Sequence, residues 1–388
     1  MSLNRKKKIF GVETFVFIVV FIGLFVLAGN KMGAANLFNT IMNTSFDLLI
    51  NTCFFIMALA VVAGGIAGLF GEFGLIALAD KLISPLMKWL YGLPGAASIG
   101  VVTTYLSDNP AILTLAADKN FRKYFKKYQL PALTNLGTAF GMGMIITAFM
   151  TGLKSPTGES FGKAALIGNI GAIVGSIVST RIMLHFTKKE FGKEAYAEPD
   201  LATDVQEKVM TRDISDGSVA SRVMNALLSG GKSGVDLGLS IIPGVLIICT
   251  LVMILTNGAG EGGVYTGAAY EGLEILPVIG QKIDFILKPL FGFSSASCIS
   301  VPITALGAAA AAIGLIPQML SKGIANAHDV AVFTAMCMCF SGYLSTHIAM
   351  MDSMKFNELT GKAILSHTIG GICAGIAANW IYQLISLI

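Results

Sequence analysis

The chain has 388 residues, of which 54% are apolar and only 13% charged, with a net charge of +4. A soluble domain carries about 25% charged residues, so a water-soluble enzyme, a nucleic-acid binder and a disordered chain are excluded. An all-α polytopic membrane protein fits, with several spans of ~20 residues each.

In chain order, the basic run Asn4-Arg5-Lys6-Lys7-Lys8 comes first and precedes residues 14–30, which carry no charge. That run is longer than a signal-peptide core, and no clear small-x-small cleavage site follows, so it reads as a retained first helix. Further charge-free runs at 48–71, 128–153, 164–180, 237–260, 330–351 and 363–388 predict spans, with Arg181 free to snorkel. Two apolar runs look different. Residues 96–117 are broken by Ser107-Asp108-Asn109-Pro110, and residues 294–317 by Pro302 and Gly307. Both predict re-entrant helical hairpins. Each follows an amphipathic stretch, 73–91 and 279–291. In the first, Leu75, Leu78, Leu82, Leu86 and Leu90 recur at helical spacing, with Asp80, Lys81 and Lys88 on the polar side. Such a helix lies along the membrane interface or packs as a surface helix on the bundle.

Basic segments set the orientation. Residues 5–8, then Lys119, Arg122, Lys123, Lys126 and Lys127, then the hydrophilic linker 187–217 with Lys208 and Arg212 are expected on the cytoplasmic side of the cell (inner) membrane. The N-terminus is then cytoplasmic. The loop 261–274, without Lys or Arg, falls outside. The cysteines Cys53, Cys249, Cys298, Cys337, Cys339 and Cys373 all lie in apolar stretches and form no CxxC pair. They read as small buried hydrophobes, and the four scattered histidines make no metal-spaced cluster. No cofactor or metal is expected.

The two halves resemble each other. At a shift of 200, Ile83, Lys88, Leu90, Gly92, Ala96, Ile99, Val101, Thr104, Leu106 and Ala111 fall on identical residues from Ile283 to Ala311, ten identities in 29 positions. Thr134, Phe140, Gly171 and Gly175 meet Thr334, Phe340, Gly371 and Gly375 in the same way. Each repeat holds three spans, an interfacial helix and a hairpin. Three is odd, so the second copy is expected to be inverted, a recurring plan of secondary transporters. The expected divisions are an N-terminal helix and loop (1–40), a first repeat (41–186), the linker (187–217) and the inverted second repeat (218–388).

Candidate functional residues cluster at the breaks. A carboxylate at membrane depth is costly and by default faces a cavity, which singles out Asp108. Pro110 suits the start of a helix and leaves Asp108 or Asn109 at the N-cap. The helix end then presents free N–H groups and partial positive charge. Asp108 is expected to couple a proton or cation, or to anchor solute. The second hairpin has Ala308, Ala309 and Ala310 at the matching positions and offers hydroxyls instead, Ser295 and Thr304 among them. Thr104, Ser107, Asn109, Asn135 and Ser341 complete the expected solute contacts, and His347 is a second candidate for coupling. Asn51 follows Asp47 by one helical turn, and Ser240 follows Asp236 likewise.

The apolar span, then an amphipathic helix ending in Leu90-Tyr91-Gly92-Leu93-Pro94-Gly95, then a small-residue hairpin, resembles the nucleoside-recognition or Gate domain. Leu290-Phe291-Gly292-Phe293-Ser294-Ser295 looks like a second copy. The resemblance covers most of residues 41–388. Such domains occur in concentrative nucleoside transporters, ferrous iron transporter membrane domains and spore maturation proteins. The resemblance implies a two-Gate membrane protein and makes a dimer or trimer an expectation. The expected activity is secondary transport of a small polar organic solute, a nucleoside or nucleobase first, driven by Na⁺ or H⁺. The alternatives are a non-transporting assembly protein of the spore-maturation type, or an ion channel. An intramembrane enzyme is not expected, because Ser345 and His347 are two residues apart and do not face each other on a helix.

Overall fold

The computed structural model describes residues 11–155, 158–199 and 214–387. The basic run 5–8 and the linker residues Lys208 and Arg212 lie outside the described residues. The helices are α1 Val12–Met32, α2 Ala34–Asp47, α3 Phe54–Glu72, α4 Leu75–Leu86, α5 Ala97–Leu106, α6 Pro110–Ala117, α7 Lys119–Arg122, α8 Ala132–Thr138, α9 Gly143–Gly152 and α10 Gly162–Phe191. The second half follows with α11 Val219–Gly244, α12 Thr250–Thr256, α13 Ile275–Lys282, α14 Asp284–Phe291, α15 Ser300–Gly307, α16 Ala309–Ser321, α17 Ala327–Cys339, α18 Tyr343–Ser353 and α19 Thr360–Ser386. The chain is an all-α polytopic membrane protein. Among the described residues, seven stretches are long and apolar enough to cross, and they fall where the seven charge-free runs predict them.

Two of these stretches exceed the expected length. Ala34–Glu72 runs unbroken for 39 residues and Val219–Thr256 for 38. At 1.5 Å per residue the first is about 58 Å long, well beyond a ~30 Å hydrocarbon core. Each contains one π-helical turn, Leu48–Cys53 and Val245–Cys249, a local widening of the helix. Charge and hydroxyls within 34–47 hid the continuation from hydropathy.

The long helices cross antiparallel. Gly64 meets Gly230, Gly68 meets Ala226, and Ala60 meets Gly234. A Cβ added at Gly230 would sit 2.1 Å from the Gly64 carbonyl oxygen, so only glycine allows this backbone contact. A second antiparallel pair joins α10 to α19, where a Cβ on Gly175 would lie 2.5 Å from the Gly370 oxygen. Gly371 packs on the Phe340 ring instead. The close approach therefore uses the neighbour of the glycine that the repeat alignment highlights.

The amphipathic stretches form helices as expected. Helix α4 buries no residue, and Leu75, Leu78, Leu82 and Leu86 are exposed on the protein surface. Helix α14 meets the following hairpin arm at 77°. Both hairpins are present, built of helices of 8 to 13 residues, too short to cross. Pro302 does not break its hairpin. It sits at the third position of α15, just after the 3-10 turn Ala296–Ile299, and the break falls at Ala308.

The loop 257–274 docks on α2. Asn36 and Asn43 donate to the carbonyls of Tyr265 and Gly267 at 2.9 and 2.8 Å, and the Tyr270 hydroxyl donates to Asp47. Glu271 organises the loop by accepting from the Thr266 N–H and hydroxyl and the Gly267 N–H. Burial opposes ionisation there, but these donors outweigh it and hold the carboxyl below its ordinary value. A lowered folded-state pKa stabilises above the unfolded value, and that contribution is lost as pH falls through the folded one. Hydrogen-exchange protection factors in 257–274, corrected for the intrinsic pH dependence of exchange, should therefore fall on acidification below about pH 4. Glu271→Gln should exchange faster at neutral pH and lose most of that dependence.

Candidate solute cavity

The first hairpin breaks where the sequence predicts. Helix α5 stops at Leu106, and the Ser107 hydroxyl folds back onto the Thr103 carbonyl at 2.7 Å. Pro110 opens α6. Asn109 occupies the N-cap position, but its side chain makes no capping bond. It reaches across the molecule and donates to the Ser341 carbonyl at 3.1 Å. The Asp108 carboxylate faces the backbone N–H of Met142 and of Asn109.

Both spans that follow the hairpins are themselves interrupted. The first unwinds between α8 and α9, with Met142 in the left-handed region at φ 55°. The second unwinds between α17 and α18, with Gly342 at φ 64°. Sequence reading treated each as continuous. The signal was the paired Phe140-Gly141-Met142-Gly143 and Phe340-Ser341-Gly342, which put glycine at matching depths in the two halves. The unwound turns clasp the Asn109 side chain. A Cβ on Gly141 would come within 2.7 Å of its amide, and one on Gly342 within 2.3 Å.

Four helix breaks thus converge on one region. A cavity of about 410 Å³ lies among them, lined by Asp108, Asn109, Ser240, Ala308, Ser341 and Thr346 with neighbouring apolar residues. A second cavity of about 590 Å³ adjoins it through Asp108, Leu237 and Ser240, and adds Ser107, Ser233 and Asp236. It separates the first hairpin from the crossing of α3 and α11. Asp236 and Ser240 therefore face the cavities from a long helix. Their first-half counterparts do not, because Asn51 and Tyr270 both bind Asp47.

Polar capacity is left open here. Among the described residues, one Asp108 carboxylate oxygen and the Asn109 amide oxygen are buried without a hydrogen-bond partner. Among the described residues, no Lys, Arg or His lines either cavity. A buried acceptor without a donor costs ~1–3 kcal/mol, more when charged. A cation, a proton or a solute N–H or O–H would satisfy these oxygens.

The expected residues divide. Ser107, Asp108, Asn109 and Ser341 come together at the cavities. Asn135 turns away and donates to the Ser179 hydroxyl and the Ala363 carbonyl, both at 2.9 Å. Thr304 bonds back to the Ser300 carbonyl at 2.6 Å. Ser295 caps the short turn Ala296–Ile299 and lines a separate 260 Å³ pocket at the hairpin base. Thr104 is buried on α5 and lines neither cavity. His347 is buried against His367, with ring centroids 4.7 Å apart, and bonds the Tyr343 carbonyl. It points into the protein, off the cavity wall. A polar residue on a span has several faces to serve, and its type does not tell them apart.

No protein-family model and no curated protein matches the sequence. Solved structures do resemble it. One is the concentrative nucleoside transporter CNTnw in an inward-facing substrate-bound state, at 12% identity and TM-score 0.52, over 96% of this chain and 84% of that one. A CNTnw variant in an outward-facing state gives 14%, 0.52, 96% and 84%. Another in an intermediate state gives 13%, 0.53, 95% and 85%. The chain therefore has a fold similar to that of these proteins, which are transporters and not enzymes.

Proposed function

We propose that the chain is a secondary active transporter of a small polar organic solute, with a nucleoside or nucleobase as first candidate, coupled to Na⁺ or H⁺. One observation carries the reading. Two hairpin tips and two unwound spans surround a cavity that holds a carboxylate and no basic side chain. Interrupted helices with free backbone groups at a central pocket are how secondary carriers bind solute and ion. Equivalent helices of the two halves pack antiparallel in both pairs described above, which supports inverted repeats over 41–186 and 218–388. A ring-bearing solute with several N–H and O–H donors suits the open oxygens of Asp108 and Asn109. The fold likeness to CNTnw in outward-facing and inward-facing states accords with a cycle in which one hairpin bundle rocks against the rest. The basic segments favour a cytoplasmic N-terminus in a cell membrane, and self-association into a dimer or trimer accords with the Gate resemblance.

Proteoliposomes offered radiolabelled uridine, adenosine, uracil and adenine under imposed Na⁺ or H⁺ gradients test this. Gradient-dependent accumulation of at least one compound is expected, and none with either ion would overturn the reading. Asn109→Ala removes one brace and one solute acceptor. It should raise the half-saturation concentration about tenfold, equivalent to ~1.4 kcal/mol and of the size of one net hydrogen bond.

A further inference from the structure

A further cavity, of about 540 Å³, lies outside the solute site. That is within the ~300–1,000 Å³ of small-molecule sites. It opens beside the exposed Leu75 and Leu86 of interfacial helix α4, and its floor reaches the buried Met87, Tyr91, Val102 and Phe140. Apart from Tyr91, Tyr105 and Asn169, every lining side chain is apolar. The mouth is continuous with the uncovered row of Leu75, Leu78, Leu82 and Leu86, the surface that meets lipid.

Charge flanks one end. Arg181 is held on the carbonyls of Trp89 and Leu90, at 2.7 Å for Leu90, and Leu90 lines the cavity. Lys88 is exposed on the same turn. The inner end carries a polar knot. The Tyr105 hydroxyl donates to Asn169 at 2.9 Å, and the Asn169 amide donates to Thr147 at 2.8 Å. The second half has Ala305, Ile369 and His347 at the positions 200 residues on, so this chamber is not a by-product of the repeat.

We propose that this cavity is a binding site for one acyl chain of a membrane phospholipid with an anionic headgroup. The chain would enter past Leu75 and Leu86, and the phosphate would lie near Lys88 and Arg181. Leu106 and Ile76 wall both this cavity and the 590 Å³ cavity. The Tyr105 ring lies against Gly143, where a Cβ would come within 2.2 Å of it. A bound chain would thus brace the first hairpin from behind. This assignment rests on membrane embedding and does not depend on transport.

The test uses purified full-length protein, native mass spectrometry and thermal unfolding. The probes are palmitoyl-oleoyl phosphatidylglycerol and the phosphatidylcholine with the same chains. Wild type should retain one phosphatidylglycerol after delipidation and gain several degrees on its addition, by linkage. Ala79→Phe or, should that variant fail to fold, Val101→Phe fills the cavity. Retention should fall about tenfold and the thermal gain should vanish, while Leu251→Phe, on an exposed apolar site elsewhere, behaves as wild type. Lys88→Gln should remove the preference for phosphatidylglycerol over phosphatidylcholine. Undiminished retention in a folded cavity-filling variant, or equal retention of both lipids by wild type, would overturn the proposal.

Discussion

Asp108→Asn is expected to abolish gradient-driven accumulation while leaving a folded, membrane-inserted protein. The carboxylate lies at the tip of the first hairpin, shared by both central cavities, and among the described residues no basic side chain lines either one. An unpaired buried charge is costly, so the site is most stable when a cation or proton accompanies it. Asparagine keeps the shape and one acceptor but removes that requirement. Solute exchange across the membrane should then persist while net accumulation falls to the level without a gradient. Asp108→Ala should lose both. Counterflow and uptake in the same vesicles separate these outcomes, and an ionophore specific for Na⁺ or H⁺ identifies the ion. Accumulation by Asp108→Asn at the wild-type level would remove Asp108 from coupling.

Gly230→Val should prevent recovery of folded protein. Its first added carbon alone would stand 2.1 Å from the Gly64 oxygen and 2.8 Å from the Gly64 carbonyl carbon. Those are backbone atoms inside a helix and cannot step aside as a side chain would. Overpacking typically costs ~1–3 kcal/mol where neighbours yield, and this position should exceed that range. Gly231→Ala is the matched control. Its added carbon meets only Val61, at 3.5 Å, and alanine is the better helix former by ~1 kcal/mol. Monodispersity on size exclusion and the thermal midpoint should separate the two variants clearly.

Much of the architecture can be read from patterning alone, because lipid leaves a chain few choices. Backbone polar groups must pair within helices, so charge-free runs report spans directly, and all seven appear. The Asp108 turn is legible for the same reason, since a carboxylate and a proline in an apolar run need a break. Three features escape this logic. The unwinding at Met142 and Gly342 lies in segments that carry no Asp, Glu, Lys or Arg, and only the glycine spacing hints at it. The 34–47 extension is too polar to register as a span, yet it is a helix braced by the loop 257–274. The roles of Asn135, Thr304 and His347 depend on helix rotation. Each turns toward a neighbouring helix or its own preceding turn, and a few tens of degrees decide whether such a residue sees the cavity.

The absence of basic side chains around the central carboxylate bears on what the pocket refuses. A phosphate ester of a suitable ring would bring negative charge against Asp108 with no arginine fork or lysine to receive it. An uncharged solute of the proposed class meets no such repulsion. A pocket of this composition sorts by charge before it sorts by shape. On the proposed function, a compound phosphorylated on one side would no longer be a substrate for the carrier.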